Sequence, residues 1–169
     1  VNLPPYFEPL QTHHDRSSFD CGKPVLNQFL QRQARQNAER SLGVTHVAVA
    51  AAGDRKILAY YTLLTRTVDA EIVPSKKLPR GEIGVVLLGR LAVDESAQGM
   101  GLGKLCLLRA MTQVEYAARQ IGIYALVVDA LDEEARAWYL HLDFGFQCLQ
   151  DDPNHLYLPL EMIRQLGFH

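Results

Sequence analysis

Gly89-Arg90-Leu91-Ala92-Val93-Asp94, then Glu95-Ser96-Ala97, then Gln98-Gly99-Met100-Gly101-Leu102-Gly103-Lys104 is the stretch that decides the fold. The apolar run Ile83 to Leu88 leads into it, and a helical pattern from Leu102 to Ile121 follows. A strand therefore ends, a short polar link turns the chain, and a glycine-rich loop opens a helix. The first N–H groups of a helix have no partner inside it and carry partial positive charge. Glycines remove side chains from that end, so a phosphate can approach the backbone closely. The loop suits a pyrophosphate, and Lys104 adds a cation in the first turn. It is not a P-loop, because Leu105 stands where Ser or Thr is required, and it lacks the final Gly-x-x-Gly of the Rossmann fingerprint. A flexible helix start with spare glycines is the alternative reading of the loop alone.

Outward from the loop, 169 residues are most simply one domain over 1–169, long enough for a substantial core. Hydrophobic residues at 48% with 21% charged read as a soluble globular chain. Cys21, Cys106 and Cys148 are an odd number with no CxxC, which suggests neither a disulfide framework nor a zinc site; no metal is expected. Reduced thiols fit a cytoplasmic location. No apolar run approaches membrane-spanning length, and the N-terminal stretch lacks a signal-peptide pattern. The net charge of -2 is unevenly spread: residues 1–90 carry +4 and residues 91–169 carry -6. The first half is the more plausible surface for an anionic partner.

In chain order, Tyr6 to Leu10 is a short strand candidate. Pro24 suits the first position of a helix whose stripe is Val25, Leu26, Phe29, Leu30, Gln33 and Ala34. That helix is expected to run to about Ala38 or Arg40, with Gly43 as its stop. Val44 to Ala51 and Ile57 to Thr67 read as strands joined at Gly53-Asp54, and Asp69 to Arg80 as a polar loop. Glu82 to Val93 is a strand apolar enough to be buried on both faces. On the helix after the glycines, Leu105, Leu108, Met111, Val114, Ala118 and Ile121 fall on one side, with Gly122 as the stop. Tyr124 to Asp129 is a further buried strand. Asp132 or a neighbour caps the next helix, which ends near Gly145. Phe146 to Gln150 and His155 to Leu160 form a final hairpin, and Glu161 to Leu166 a helical turn. Strands around two crossover helices argue a mixed α/β fold.

Two motifs carry a resemblance. Leu91-Ala92-Val93-Asp94 followed by Gln98-Gly99-Met100-Gly101-Leu102-Gly103 resembles the acetyl-CoA signature Arg/Gln-x-x-Gly-x-Gly/Ala of the GCN5-related N-acetyltransferases, the GNAT family. Asp129-Ala130-Leu131-Asp132-Glu133-Glu134-Ala135-Arg136-Ala137-Trp138-Tyr139, then Phe144-Gly145-Phe146, is similar to the family's later motif, in the right order and at the right separation. The resemblance implies a single domain with a central, mostly antiparallel sheet and a splayed parallel pair, the strands ending at Asp94 and Asp129, flanked by helices. It implies acetyl-CoA as cofactor. The contacts it implies are Leu91, Ala92 and Val93, the loop Gln98, Gly99, Met100, Gly101, Leu102, Gly103 and Lys104, and Asp132 and Ala135. In the splay, backbone groups of Leu91 and Val93 would bond the pantetheine amides like an added strand.

Acetyl transfer from a thioester needs a neutral amine near the carbonyl carbon and an acid for the departing thiolate. Tyr139 sits about 100° round the helix from Trp138, at the edge of a stripe of Leu131, Ala135, Trp138 and Leu142. A hydroxyl there can be a boundary group in water or can face a cleft. The resemblance implies the second, because the family's acid tyrosine occupies the matching place, and an unperturbed phenol of pKa ~10 can donate to a thiolate. Glu82 and Asp94 are base candidates by proximity alone, and an ordered water or an already neutral amine would also serve. His13, His14, His46, His141 and His155 show no triad or ligand spacing and read as structural or surface residues, and Cys106 as packing.

The first third, Phe19-Asp20-Cys21-Gly22, Leu26-Asn27-Gln28-Phe29-Leu30 and Ala34, with Leu88 to Asp94, resembles a narrower group: toxin acetyltransferases that modify the amino group of aminoacyl-tRNA. That resemblance implies aminoacyl-tRNA as substrate, a ribbon-helix-helix antitoxin as partner, and a homodimer. Arg32, Arg35, Lys76, Lys77, Arg80 and Arg90 are the candidate phosphate contacts, although any one of them can be an ordinary solvated charge. A sequence pI near 6.3 is low for a tRNA binder. An acetyltransferase of small or protein amines and a non-catalytic acetyl-CoA-binding module on the same fold are the other readings.

Overall fold

The computed structural model describes residues 5–75 and 77–167. Their strands are β1 Tyr6–Pro9, β2 Val44–Val49, β3 Ala59–Asp69, β4 Glu82–Val93, β5 Ala125–Asp129, β6 Gln147–Cys148 and β7 His155–Pro159, with helices α1 Pro24–Arg32, α2 Ala34–Glu39, α3 Leu102–Ala118, α4 Glu133–His141 and α5 Leu160–Gln165. The strands form a seven-stranded sheet in the order β1-β2-β3-β4-β5-β7-β6. β4 and β5 are parallel, over Val86↔Leu126, Leu87↔Val127 and Leu88↔Val128. The pairs β1–β2, β2–β3, β5–β7 and β6–β7 are antiparallel. The mixed sheet with one parallel pair is as expected, and β4 has the expected bounds. Contacts divide the chain into two compact units, Val1–Leu64 with Gly89–Leu108, and Thr65–Leu88 with Arg109–His169.

In the first unit, Phe29 and Leu30 of α1 and Ala34 of α2 pack in one cluster with Val47, Val49, Ile57, Tyr60 and Ala92. Burying each large apolar side chain there contributes about 1.5–3 kcal/mol. Tyr60 makes the cluster specific. Its ring meets Phe19 edge-on at 5.4 Å and stacks on Phe29 at 6.2 Å, and its hydroxyl donates to Leu26 O at 2.6 Å. Pro24 opens α1 as expected. The single helix expected to Ala38 or Arg40 is instead two, kinked at Gln33 (φ -119°, ψ -32°), where no proline or glycine announces a break. Gly43 is not the stop. The chain leaves α2 through Ser41 at φ 58°, with Leu42 N–H donating to Asn37 O and Ser41 N–H to Ala38 O, a Schellman closure satisfied two residues earlier.

In the second unit, β5 is buried along Ala125 to Val128 and β7 along Leu156 to Leu158. The buried face of α3 across both units is Cys106, Leu107, Ala110, Met111 and Val114. This corrects the expected stripe: Leu105 and Ile121 are exposed, and the helix ends at Ala118, before Gly122. Counting from Leu105 in steps of three selected its most leucine-rich positions rather than the face that the i, i+4 row 106-110-114 turns inward. Glu115 is buried as well, its carboxylate accepting from Arg164 Nε at 2.8 Å and Arg119 Nε at 3.2 Å. α4 leaves through Asp143 at φ 59°, so Gly145 is not its cap; short Asp tolerates the left-handed region. Gly145 serves close approach instead: at φ 106°, a Cβ there would lie 2.9 Å from Met162 Cε. Among the described residues no helix is long and apolar enough to cross a membrane.

Candidate active site

The loop after β4 is organised by Asp94, which is buried. Its N–H donates to Leu58 O at 2.8 Å. Its carboxylate accepts from Asp20 N–H at 2.9 Å, from Ser96 N–H at 3.0 Å and from the Ser96 hydroxyl. Asp94 therefore caps the 3-10 turn Glu95–Ala97 and ties it to the Phe19–Gly22 segment. Glu95 N–H returns a bond to Asp20 O at 2.8 Å, and Asp20 Oδ1 accepts from Gly22 N–H and Asn27 Nδ2, both at 2.9 Å. The Phe-Asp-Cys-Gly and Leu-Asn-Gln residues are thus a brace for the glycine loop. Asp94 is not available as the base proposed by proximity, because its oxygens are committed to this brace. Glu82 is exposed at the opposite end of β4.

Burial pushes the Asp94 carboxyl up, but the donors from Asp20 and Ser96 outweigh it and hold it below the ordinary carboxylate range. A depressed folded value means stability that is present above the unfolded pKa and lost as pH falls through the folded one. Asp94→Asn supplies one acceptor oxygen where two are used, leaving a buried donor unpaired, at a cost of ~1–3 kcal/mol. Urea unfolding at neutral pH should show that loss. The difference should shrink as pH falls below the unfolded carboxylate pKa and vanish only below the lower, folded one; a constant difference would refute the assignment.

Past the 3-10 turn, Gln98 Nε2 donates to Val93 O at 2.9 Å and to Cys21 O at 3.0 Å. The Gln98 side chain is thus a clasp on the brace, and the Val93 carbonyl expected to be open for pantetheine already accepts one bond. Gly99 (φ 81°) and Gly101 (φ 78°) occupy the left-handed region, and a Cβ on either would meet nothing within 4 Å. Gly101 O accepts from Leu105 N–H at 3.1 Å, so Gly101 is the N-cap of α3. Met100 is exposed. The result is a loop with open space over its glycines at the amino end of a 17-residue helix, a fitting seat for a phosphate group. Of the other expected contacts on this side, Ala92 is buried in the core of its unit, and Leu91 and Val93 are half-buried. Leu102 is buried, Gly103 half-buried and Lys104 exposed. Cys106 is fully buried with its thiol pushed up to about 12 by desolvation, consistent with packing.

In the other unit, Asp132 caps α4, its Oδ1 accepting from Ala135 N–H at 2.8 Å. Tyr139 is the buried residue of α4, at 6% exposure. Its ring meets Trp138 edge-on at 4.9 Å and Phe146 at 5.6 Å. This corrects the stripe expected for α4, since Leu131 is exposed and Trp138 only half-buried. A phenol fixed by two aromatic edges is a rigid mount for a proton donor.

The candidate phosphate contacts do not behave alike. Arg32, Lys77 and Arg80 are exposed. Arg35 lies 3.6 Å from Glu39 Oε1. Arg90 lies over the Phe29 ring at 4.7 Å and donates to Gly89 O at 2.8 Å, which makes it largely a local structural charge. Lys76 lies outside the described residues. Arg32, Arg35 and Arg90 fall in the first unit, and Lys77 and Arg80 in the second.

Sequence reasoning missed two clusters. Glu8, His13 and His14 place one ligand atom each within 4.8 Å of one another. His14 Nδ1 accepts from Gln11 N–H, so its Nε2 carries the proton it gives Glu8 at 2.6 Å and has no lone pair for a metal. The second is at the carboxyl end of β5, where Asp129 Oδ2 accepts from Arg66 at 2.8 Å and His155 stands opposite in register. A charged residue closing the apolar run before it was the available signal.

The description "Acetyltransferase (GNAT) family" fits residues 7–146 of the chain. The chain belongs to the GNAT acetyltransferase family. Within it, the chain is 36% identical over 155 residues to a tRNA-acetylating toxin of Mycobacterium tuberculosis (strain ATCC 25618 / H37Rv), covering 90% of each. It is similar to AtaT complexed with acetyl-methionyl-tRNAfMet, at TM-score 0.88 and 33% identity over 96% of this chain and 98% of that one. It is also similar to a mutant of the toxin AtaT bound to the C-terminus of the antitoxin AtaR and acetyl-CoA, at TM-score 0.84 and 30% identity over 99% and 100% of the two chains. In this GNAT acetyltransferase the Gln98–Gly103 segment leads into α3, and Tyr139 is the buried residue of α4.

Proposed function

We propose that this GNAT acetyltransferase moves the acetyl group of acetyl-CoA to the amino group of an aminoacyl-tRNA, with residues 1–169 acting as one catalytic domain. The observation that carries the reading is the open glycine loop at the start of α3, braced by Asp94, Gln98 and the Phe19–Gly22 segment. The N–H groups from Gly99 to Lys104 and the Lys104 cation hold the pyrophosphate. Backbone groups of Leu91 and Val93 take the pantetheine amides, beside the bond Val93 O already accepts, and Asp132 and Ala135 are the further proposed cofactor contacts. Bound acetyl-CoA supplies an activated acetyl group as a thioester. Tyr139 holds a proton on its hydroxyl for the departing thiolate, and much of the rate comes from fixing two reactants in one geometry. The similarity to the mycobacterial tRNA-acetylating toxin and to AtaT complexed with acetyl-methionyl-tRNAfMet supports aminoacyl-tRNA as acceptor, and the similarity to AtaT bound to the antitoxin AtaR supports an antitoxin as partner. That this partner is of the ribbon-helix-helix kind, that the enzyme is a homodimer and that it works in the cytoplasm are part of the same proposal.

The decisive experiment gives the protein labelled acetyl-CoA with charged tRNAs beside a panel of small amines. Transfer to tRNA should dominate. Reversal of Arg32 and Arg35 to Glu should lower tRNA acetylation at least ~10-fold more than acetylation of a small free amine. Activity on tRNA should also fall steeply from low to physiological salt, as phosphate contacts require. The net charge of -2 and the Arg35–Glu39 pairing favour the second reading, a small-amine acetyltransferase. Equal loss on both acceptors, with salt-insensitive transfer, would establish it.

A further inference from the structure

We propose that Asp129 is the seat of the acceptor's amino group, an inference that rests on the acetyltransferase reading above. Asp129 closes β5 one residue beyond Val128, where the parallel pairing with β4 stops at Leu88. The carboxyl ends of parallel strands are where open α/β sheets receive ligands. Its two oxygens are unequal. Oδ2 accepts from Arg66 at 2.8 Å, which orients the carboxylate. Oδ1 is buried and has no hydrogen-bond partner among the described residues. His155, its cross-strand neighbour, has Nε2 3.6 Å from Oδ1, too far for a hydrogen bond, and directs Nδ1 to Asp151 Oδ2 at 3.0 Å. Asp152 Oδ2 lies 3.9 Å from the same Nε2.

A buried carboxylate oxygen without a donor is costly, and such groups in native proteins await a water, an ion or a ligand. The side chain as a whole is one-third exposed, with that exposure on atoms other than the inward-turned Oδ1. The missing partner must donate N–H or O–H and tolerate a surrounding field of both signs, Arg66 on one side and Asp151 and Asp152 on the other. A primary ammonium or amine satisfies both conditions. It offers two or three short donors on a small head, and an N-acetyltransferase must bring one such group to a fixed point. Asp129 Oδ1 takes one amine N–H, leaving the nitrogen lone pair to be directed elsewhere, while Arg66 and His155 are positioning residues.

Charged tRNA and the same tRNA with its amino group already acetylated differ only at that amine. Without acetyl-CoA, wild-type protein should bind the amino form at least ~10-fold more tightly. Asp129→Asn keeps the shape but lowers the charge and should reduce the preference to within about twofold, leaving affinity for the acetylated form and for acetyl-CoA unchanged. Arg66→Met should erode the same preference less. A wild-type preference that survives in Asp129→Asn overturns the proposal, as does the absence of any preference in the wild type, a result independent of how the variants fold. If the protein binds no tRNA, the tRNA reading fails on its own, and the small-amine panel decides. A KM raised at least ~10-fold in Asp129→Asn with kcat little changed supports the seat, and an unchanged KM overturns it.

Discussion

Tyr139→Phe should lower turnover by ~10²-fold or more, the usual scale for losing a general acid, while the protein stays folded and binds acetyl-CoA as before. Phenylalanine keeps the ring that packs edge-on against Trp138 and Phe146. The difference therefore isolates the hydroxyl. Single-turnover kinetics with preloaded acetyl-CoA separate chemistry from binding, and a pH series removes the case in which the thiolate leaves unassisted at high pH. Turnover within a few-fold of wild type across that series would make Tyr139 a structural aromatic, and its burial would then be its whole role.

The second large effect is expected from Gly101→Asp. Two features make the variant informative. Aspartate is a preferred N-cap residue, and although any side chain is strained at φ 78°, aspartate is strained less than most, so thermal unfolding beside the Gly101→Ala control separates that strain from charge. A Cβ there enters open space. What changes is charge: a carboxylate about 4 Å from a phosphate at an effective dielectric of 20 costs about 4 kcal/mol, so acetyl-CoA should bind roughly 10²–10³-fold more weakly. Calorimetry on the folded variant measures this directly, with Gly101→Ala as the control that adds a side chain and no charge. Unchanged affinity in Gly101→Asp would place the pyrophosphate elsewhere.

Local chemistry was legible in the sequence, and long-range commitment was not. β4 ran from Glu82 to Val93 as read, because an apolar run between polar flanks leaves little choice of ends. Pro24 opened α1 and Asp132 capped α4, since each acts on backbone within a turn of itself. The role of Asp94 depends on Asp20, 74 residues away, and no periodicity reports that. Ser41 and Asp143 took left-handed positions that glycines two residues on were expected to take, because a helix ends where its last carbonyls find donors. Of the α3 stripe, Met111 and Val114 are buried as read, while Leu105 and Ile121 are exposed, because the helix's leucines lie on more than one face. The kink at Gln33 has no local signal in the residues around it.

The Gln98 clasp has a consequence for what that position tolerates. Its nitrogen serves two carbonyl oxygens, one from Val93 and one from Cys21, 77 residues away in sequence. The requirement there is two protons in a forked arrangement, which glutamine and arginine both offer and which glutamate, nearly identical in outline, lacks. In this chain the glutamine at the head of the glycine signature is thus a rivet between two stretches of main chain. Length and planarity matter less to it than having hydrogens to give.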